Sequence, residues 1–192
     1  MLTGGPHSGK TTLLDELRRR GFAVVEEAAI GVIAALVAEL GRDAARVWRL
    51  SHVIEFQERI AARQIELERG AERSPTELCF CDRGLPDGLV YFRLAGIEPS
   101  AFVQQAVKAA HYDLVVLNEI MLPFMPRIET GRTSDLQRAR DIEALLVESY
   151  TNQGFELLRL PPLKPVEARA DALLALVAER RRAGERAASN RA

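Results

Sequence analysis

Gly4-Gly5-Pro6-His7-Ser8-Gly9-Lys10-Thr11 is the stretch from which the rest of the chain can be read. It satisfies the spacing G-x-x-x-x-G-K-[ST] at every fixed position. Gly4 and Gly9 permit backbone angles that other residues resist, so consecutive N–H groups can turn inward on an anion. An amphipathic helix follows at once, and its first N–H groups and its dipole face the same anion. The spacing therefore predicts a cradle for the phosphates of a nucleoside triphosphate, formed by Gly4, Gly5, Pro6, His7, Ser8, Gly9, Lys10, Thr11 and Thr12. Lys10 brings a point charge to the β- and γ-phosphates, and Thr11 offers a hydroxyl to Mg²⁺. His7 holds a variable position and is read as a loop residue whose backbone matters.

A loop of this kind follows a strand, yet only Met1, Leu2 and Thr3 precede it. Either the first strand is a stub or the natural chain starts upstream. Beyond the loop, short apolar runs alternate with longer amphipathic ones, the pattern of an α/β fold with a mainly parallel sheet. Strands are predicted near 1–3, 22–26, 78–82, 113–118 and 155–160. Helices are predicted over 10–20, 28–40, 86–95, 100–110 and 138–152. A long helix is expected from Asp43, as N-cap, to Arg69, with Gly70 as C-cap. Pro165 opens the last helix, and the run Arg180-Arg181-Arg182 is read as cations at its negative end.

A length of 192 residues is that of one domain, here about 1–184, with 185–192 as a frayed tail. The hydrophobic fraction of 47% and charged fraction of 28% are those of a globular protein. A net charge of −1 provides no field that would favour nucleic acid or an anionic membrane. No run approaches the ~20 apolar residues of a membrane span, and the start passes straight into the loop rather than a leader. Cys79 and Cys81 alternate along a strand and are read as small core hydrophobes of a reducing cytoplasm, at a spacing geometrically unfavourable to a disulfide.

A phosphate loop needs a carboxylate near its metal. Two strands end in candidates, at Asp82 and at Glu119, and ligands of open parallel sheets sit beyond such ends. Asp82-Arg83 suits a transfer site: the Asp can hold the Mg²⁺ shell and the Arg can meet an anion. Residues from about 123 to 136, bounded by Pro and Gly, read as a short lid rich in arginine. Arg127, Arg132, Arg138 and Arg140 cluster around it, and Arg132 is chosen first to stabilise the transferring phosphoryl group, although the interleaved Glu129, Asp135 and Asp141 also suit a solvated charged helix and loop. Glu27 closes the second strand, where a carboxylate could accept a hydroxyl proton or bind a sugar. On the long helix, Gln57 and Phe56 could hydrogen-bond and stack on a base-like ring, although helix packing also accounts for Phe56.

Taken together, GGPHSGKTT, FCDRGLPD, ETGRTSDLQRARDIEALLVESYTNQGF and LRLPPLKPVEAR resemble the AAA_28 family of small P-loop proteins over nearly the whole chain. That family is similar to the ribosylnicotinamide kinase domain of the bacterial NAD-biosynthesis regulator, and more distantly to thymidylate and deoxynucleoside kinases. The resemblance implies a three-layer α/β/α fold with strand order 2-3-1-4-5. It implies ATP on Gly4 to Thr12, metal and transfer chemistry at Lys10, Thr11, Asp82 and Arg83, lid arginines around Arg132, and an acceptor near Glu27 and Gln57. The second strand runs VVEEAAI, less polar than expected of a ribosylnicotinamide kinase, and 192 residues leave no room for the extra helical domain of an AAA⁺ machine.

The expected function is thus an ATP- and Mg²⁺-dependent kinase acting on a nucleoside, nucleotide or related hydroxyl compound, with no nucleic-acid or membrane partner. The oligomeric state is open, a homodimer included. The rival is a nucleotide-sensing ATPase without an acceptor. A GTPase ranks lower, since Asn118 is followed by Glu119 and the chain has no N-K-x-D string.

Overall fold

A computed structural model describes residues 1–73, 76–123 and 135–189. Among these, eight helices alternate with five short strands. The strands are β1 (Leu2–Thr3), β2 (Ala23–Val25), β3 (Cys79–Cys81), β4 (Val115–Asn118) and β5 (Leu157–Leu160). The helices are α1 (Lys10–Arg19), α2 (Ala28–Leu40), α3 (Arg42–Ser51), α4 (Val53–Glu72), α5 (Asp87–Ala95), α6 (Ala101–Ala109), α7 (Leu136–Asn152) and α8 (Val166–Ser189).

Every strand pairing is parallel. β1, β4 and β5 form one sheet in that order, with Leu2 opposite Val116 and Val115 opposite Leu157. β2 and β3 form a second, with Val24 opposite Phe80. In place of one five-stranded ladder, the two sheets meet at a single bridge between Leu2 and Asp82. The Arg83 N–H donates to the Leu2 carbonyl at 2.9 Å there, and the Asp82 N–H to Val25 at 2.9 Å. The reason is the length of β1: two residues can pair fully with one neighbour and only touch the other.

Because side chains alternate along a strand, β1 divides its neighbours between two faces. Leu2 joins Leu13, Leu17, Phe80, Val116, Leu160 and Leu173 in a core under α1 and α8. Thr3 points the other way and donates to Asp87 of α5 at 3.0 Å. Ala61, Leu85, Phe92, Val103 and Val107 knit α4, α5 and α6 on that side, and Val90, Ile142 and Leu146 join α5 to α7.

Three expectations need correction. The long helix predicted from 43 to 69 is two helices, broken at His52 (φ −122°, ψ 51°), and Gly41 rather than Asp43 caps α3. Ser51 Oγ donates to the carbonyls of Val47 and Trp48, a local side-chain bond that competes with helix continuation, while the His52 ring stacks on Trp48 at 4.9 Å. α4 in turn runs through Gly70 to Glu72. α8 continues through Gly184 to Ser189, so Arg180–Arg182 are not at its end. Arg180 and Arg181 instead form exposed pairs with Glu156 and Glu77. Cys79 and Cys81 share a strand face and are free thiols, but both are half-buried, and Phe80 between them enters the core.

Candidate functional site

The Gly-rich stretch forms the connection from β1 to α1. Gly4 has φ 150°, His7 61° and Gly9 74°. A Cβ on Gly4 would lie 2.5 Å from the Asn118 carbonyl oxygen and 2.9 Å from Ser8 Oγ, so only glycine fits. Lys10, buried at the head of α1, folds back over the loop and donates to the Gly4 carbonyl at 2.6 Å, with Gly5 O at 3.4 Å and Ser8 Oγ at 3.3 Å. Burial disfavours its charged form and lowers it to about 7. The ammonium thus sits inside the loop on neutral oxygens, a place where an anion would serve it better. Thr11 and Thr12 are exposed on the first turn of α1.

Asp82 stands at the end of β3, buried, and among the described residues its Oδ1 has no hydrogen-bond partner. Burial pushes its carboxyl up, and the Lys10 charge pulls it down. Buried polar atoms in native proteins are satisfied, so an orphaned carboxylate oxygen asks for a cation or its water. The Asp82 carboxylate, like the exposed Thr11 hydroxyl, is an oxygen donor of the kind Mg²⁺ takes. The residues present therefore fit the metal. The other candidate acid, Glu119, turns to the β5 surface and pairs with Arg159 at 3.0 Å.

Arg83 (φ 69°) is buried, and its charge reaches Lys10 of the phosphate loop, where it adds to burial in disfavouring the charged lysine. Its Nη1 donates to Asp87 Oδ1 at 2.7 Å, and its Nε makes a charge contact with Glu27 at 3.2 Å rather than an aligned hydrogen bond. Asp87 also accepts from Thr3, from the Gly84 N–H at 3.3 Å and from the buried Tyr150 hydroxyl at 2.5 Å. The turn between them is tight: a Cβ on Gly84 would lie 2.7 Å from the Tyr112 hydroxyl and 2.9 Å from that of Tyr150.

Glu27, Arg83 and Asp87 line a cavity of about 220 Å³ together with Phe56, Gln57 and Tyr91. Ala28, Ile33, Ile60, Leu85 and Val103 make its apolar walls. The residues expected on the acceptor side, Glu27 and Gln57, thus line one cavity. Of the arginines expected in the lid, Arg138 and Arg140 are exposed on the first turns of α7, which Asp135 caps by accepting from the Arg138 N–H. Arg127 and Arg132, with most of the predicted lid, lie outside the described residues.

Sequence reasoning missed Asp87, Tyr91, Tyr150 and a buried arginine, Arg169. Asp87 begins α5, where an acid is ordinarily read as complementing the helix dipole. Only its spacing from Asp82 on one strand–turn–helix connection hinted at a second role.

The chain belongs to the AAA_28 family, described as an AAA domain, which it matches over residues 1–169. No curated protein matches it. Membership makes it a P-loop nucleotide-binding protein of NTPase type, with the α/β architecture seen here. Among the described residues, no helix is long and apolar enough to cross a membrane.

Proposed function

We propose that this member of the AAA_28 family is an ATP-dependent kinase that transfers the γ-phosphoryl group to a hydroxyl of a small, partly flat, apolar molecule such as a nucleoside. The observation that carries this reading is the cavity lined by Glu27, Gln57, Arg83 and Asp87, with Arg83 following directly on Asp82, the acid this reading gives to the metal. A nucleotide sensor has no need of such a space. The single bridge from Leu2 to Asp82 supports a continuous strand order 2-3-1-4-5, and a single domain over 1–184 with a lid at about 123–136 accords with it.

The division of labour follows from the contacts. The loop from Gly4 to Thr12 holds the phosphates, and Lys10 leaves its carbonyl partners to meet them. Thr11 and Asp82 would hold Mg²⁺, which neutralises charge on the phosphates when bound. Glu27 is the base for the acceptor hydroxyl, and Arg83, fixed by Asp87, holds that carboxylate in place. Gln57 bonds the acceptor and Phe56 stacks on it. Arg132 meets the transferring group, and its replacement by Ala is expected to cost ~10³-fold in turnover with ATP binding kept.

Steady-state ADP release with and without a panel of nucleosides and nucleotides tests the proposal. Stimulation by an acceptor, lost in Glu27→Gln, is the expected result. A slow rate indifferent to every acceptor, and untouched by Arg132→Ala, would replace the kinase with a sensor.

A further inference from the structure

Arg169 takes no part in the reaction above, yet it is among the largest fully buried side chains of the molecule. It projects from the first turn of α8 and spends its donors on backbone carbonyls. Nη1 donates to Ser8 O at 2.5 Å, and Nη2 to Glu119 O at 3.0 Å and Leu160 O at 3.1 Å. Nη1 also lies 3.2 Å from Met121 Sδ. One planar fork therefore ties the phosphate loop to the ends of β4 and β5. Among the described residues no carboxylate pairs with it, because Glu119, the acid whose charge it feels, is engaged by Arg159. A buried cation solvated only by neutral carbonyls is costly to keep, which calls for a reason.

The reason lies in the peptide it grips. Ser8 O belongs to the planar trans unit that joins Ser8 to Gly9, so the Gly9 N–H points opposite to that carbonyl. A donor holding the carbonyl from behind aims the N–H into the cradle and polarises it. Without such a hold, this is a unit that glycine would leave free to turn. The loop rests directly on the guanidinium: a Cβ on Gly9 would lie 3.1 Å from Nη1.

We propose that Arg169 is the positioning residue of the phosphate loop, locking the Ser8–Gly9 peptide so that the Gly9 N–H meets a phosphate oxygen, with the bound polyphosphate offsetting its buried charge. The assignment rests on the nucleotide reading above. It adds a residue from the far end of the chain that touches only the back of the loop.

The test measures Mg·ATP affinity by titration calorimetry, with apo thermal midpoints, for wild type, K10A, R169Q and R169K. R169Q should weaken Mg·ATP by about 10- to 100-fold, the scale of a hydrogen bond to a charged group. Its apo midpoint should stay within about 4 °C of wild type, because an uncompensated charge leaves together with its bonds. R169K keeps the charge without the planar fork, so its affinity should lie between the two. In apo R169K, the Gly9 amide resonance should move more than other amides outside α8, which a general packing role would not produce. If R169Q does not fold, R169K decides: weakened binding and the Gly9 shift support the assignment, and wild-type affinity overturns it. Wild-type affinity in both Arg169 variants, with binding lost in K10A, overturns this assignment alone. A wild type as unable to bind Mg·ATP as K10A overturns the nucleotide reading and this assignment with it.

Discussion

Asp87 is a single carboxylate on which much of the site's shape depends. It accepts from Thr3 on β1, Arg83 after β3, the Gly84 backbone and Tyr150 on α7. Asp87→Asn would leave Arg83 buried with Glu27 as its remaining acid, a change of the kind that costs about 3–5 kcal/mol, measurable by urea unfolding. Gly84→Ala should cost about 1–3 kcal/mol in the same assay, because its methyl group meets the Tyr112 and Tyr150 hydroxyls below contact distance. On the phosphate side the two charged residues should separate cleanly. Lys10→Ala should abolish Mg·ATP binding seen by calorimetry, since its ammonium already sits inside the loop. Asp82→Asn keeps the shape and should leave ATP binding largely intact while ADP release collapses, because the charge lost is the one assigned to the metal.

At the scale of elements, the site is an arrangement of connections rather than of strands. β1 leads into the phosphate loop, β3 into the turn from Asp82 to Asp87, and β2 into Glu27 at the head of α2. Tyr112, between α6 and β4, braces the middle turn: its hydroxyl accepts from the Leu85 N–H at 2.9 Å and donates to Glu68 of α4 at 2.8 Å. Burial holds the Glu68 carboxyl above its ordinary value of 4.5, against the pull of bonds from Gln64 and Tyr112. Between the unfolded and the raised folded value, the native chain holds more protons than the unfolded one. The contribution of Glu68 to stability is therefore present at low pH and lost as pH rises through the folded value. Glu68→Gln keeps an acceptor for Tyr112 and removes the titration. Urea midpoints at about pH 4.5 and 7.5 should show a smaller loss toward neutral pH in the variant than in wild type.

For the whole molecule, one binding event should be felt far from the loop, because the loop is tied to β4, β5 and α8 as well as to α1. At a hundredfold excess over its dissociation constant, Mg·ATP should stabilise the protein by about 2.7 kcal/mol, or about 5–10 °C in midpoint for a chain of this size. Chelating the metal should remove part of that gain, and Asp82→Asn should make the shift with ATP the same with and without Mg²⁺.

The sequence by itself determined the phosphate loop, since glycine and lysine spacing is a statement about backbone angles and charge along a few contiguous residues. It also determined the parallel α/β alternation, because apolar period reports which faces are covered, and the five strands fall within a few residues of their predicted bounds. It named Glu27, Gln57, Phe56 and Arg83 singly. What only the tertiary structure decided was how residues far apart in the chain meet. Two residues in β1 reduced one sheet to two joined by a bridge, and a local bond at Ser51 divided a helix whose apolar pattern runs on without a break. Arg83 became a clamp between Glu27 and Asp87 because the burial that surrounds it rewards carboxylates over solvent. Arg169 reached the back of the loop across 161 residues of sequence. No local pattern encodes such a contact, because its partners are backbone carbonyls, which every residue carries, and only the packing of α8 against α1 and β5 selects which of them it meets.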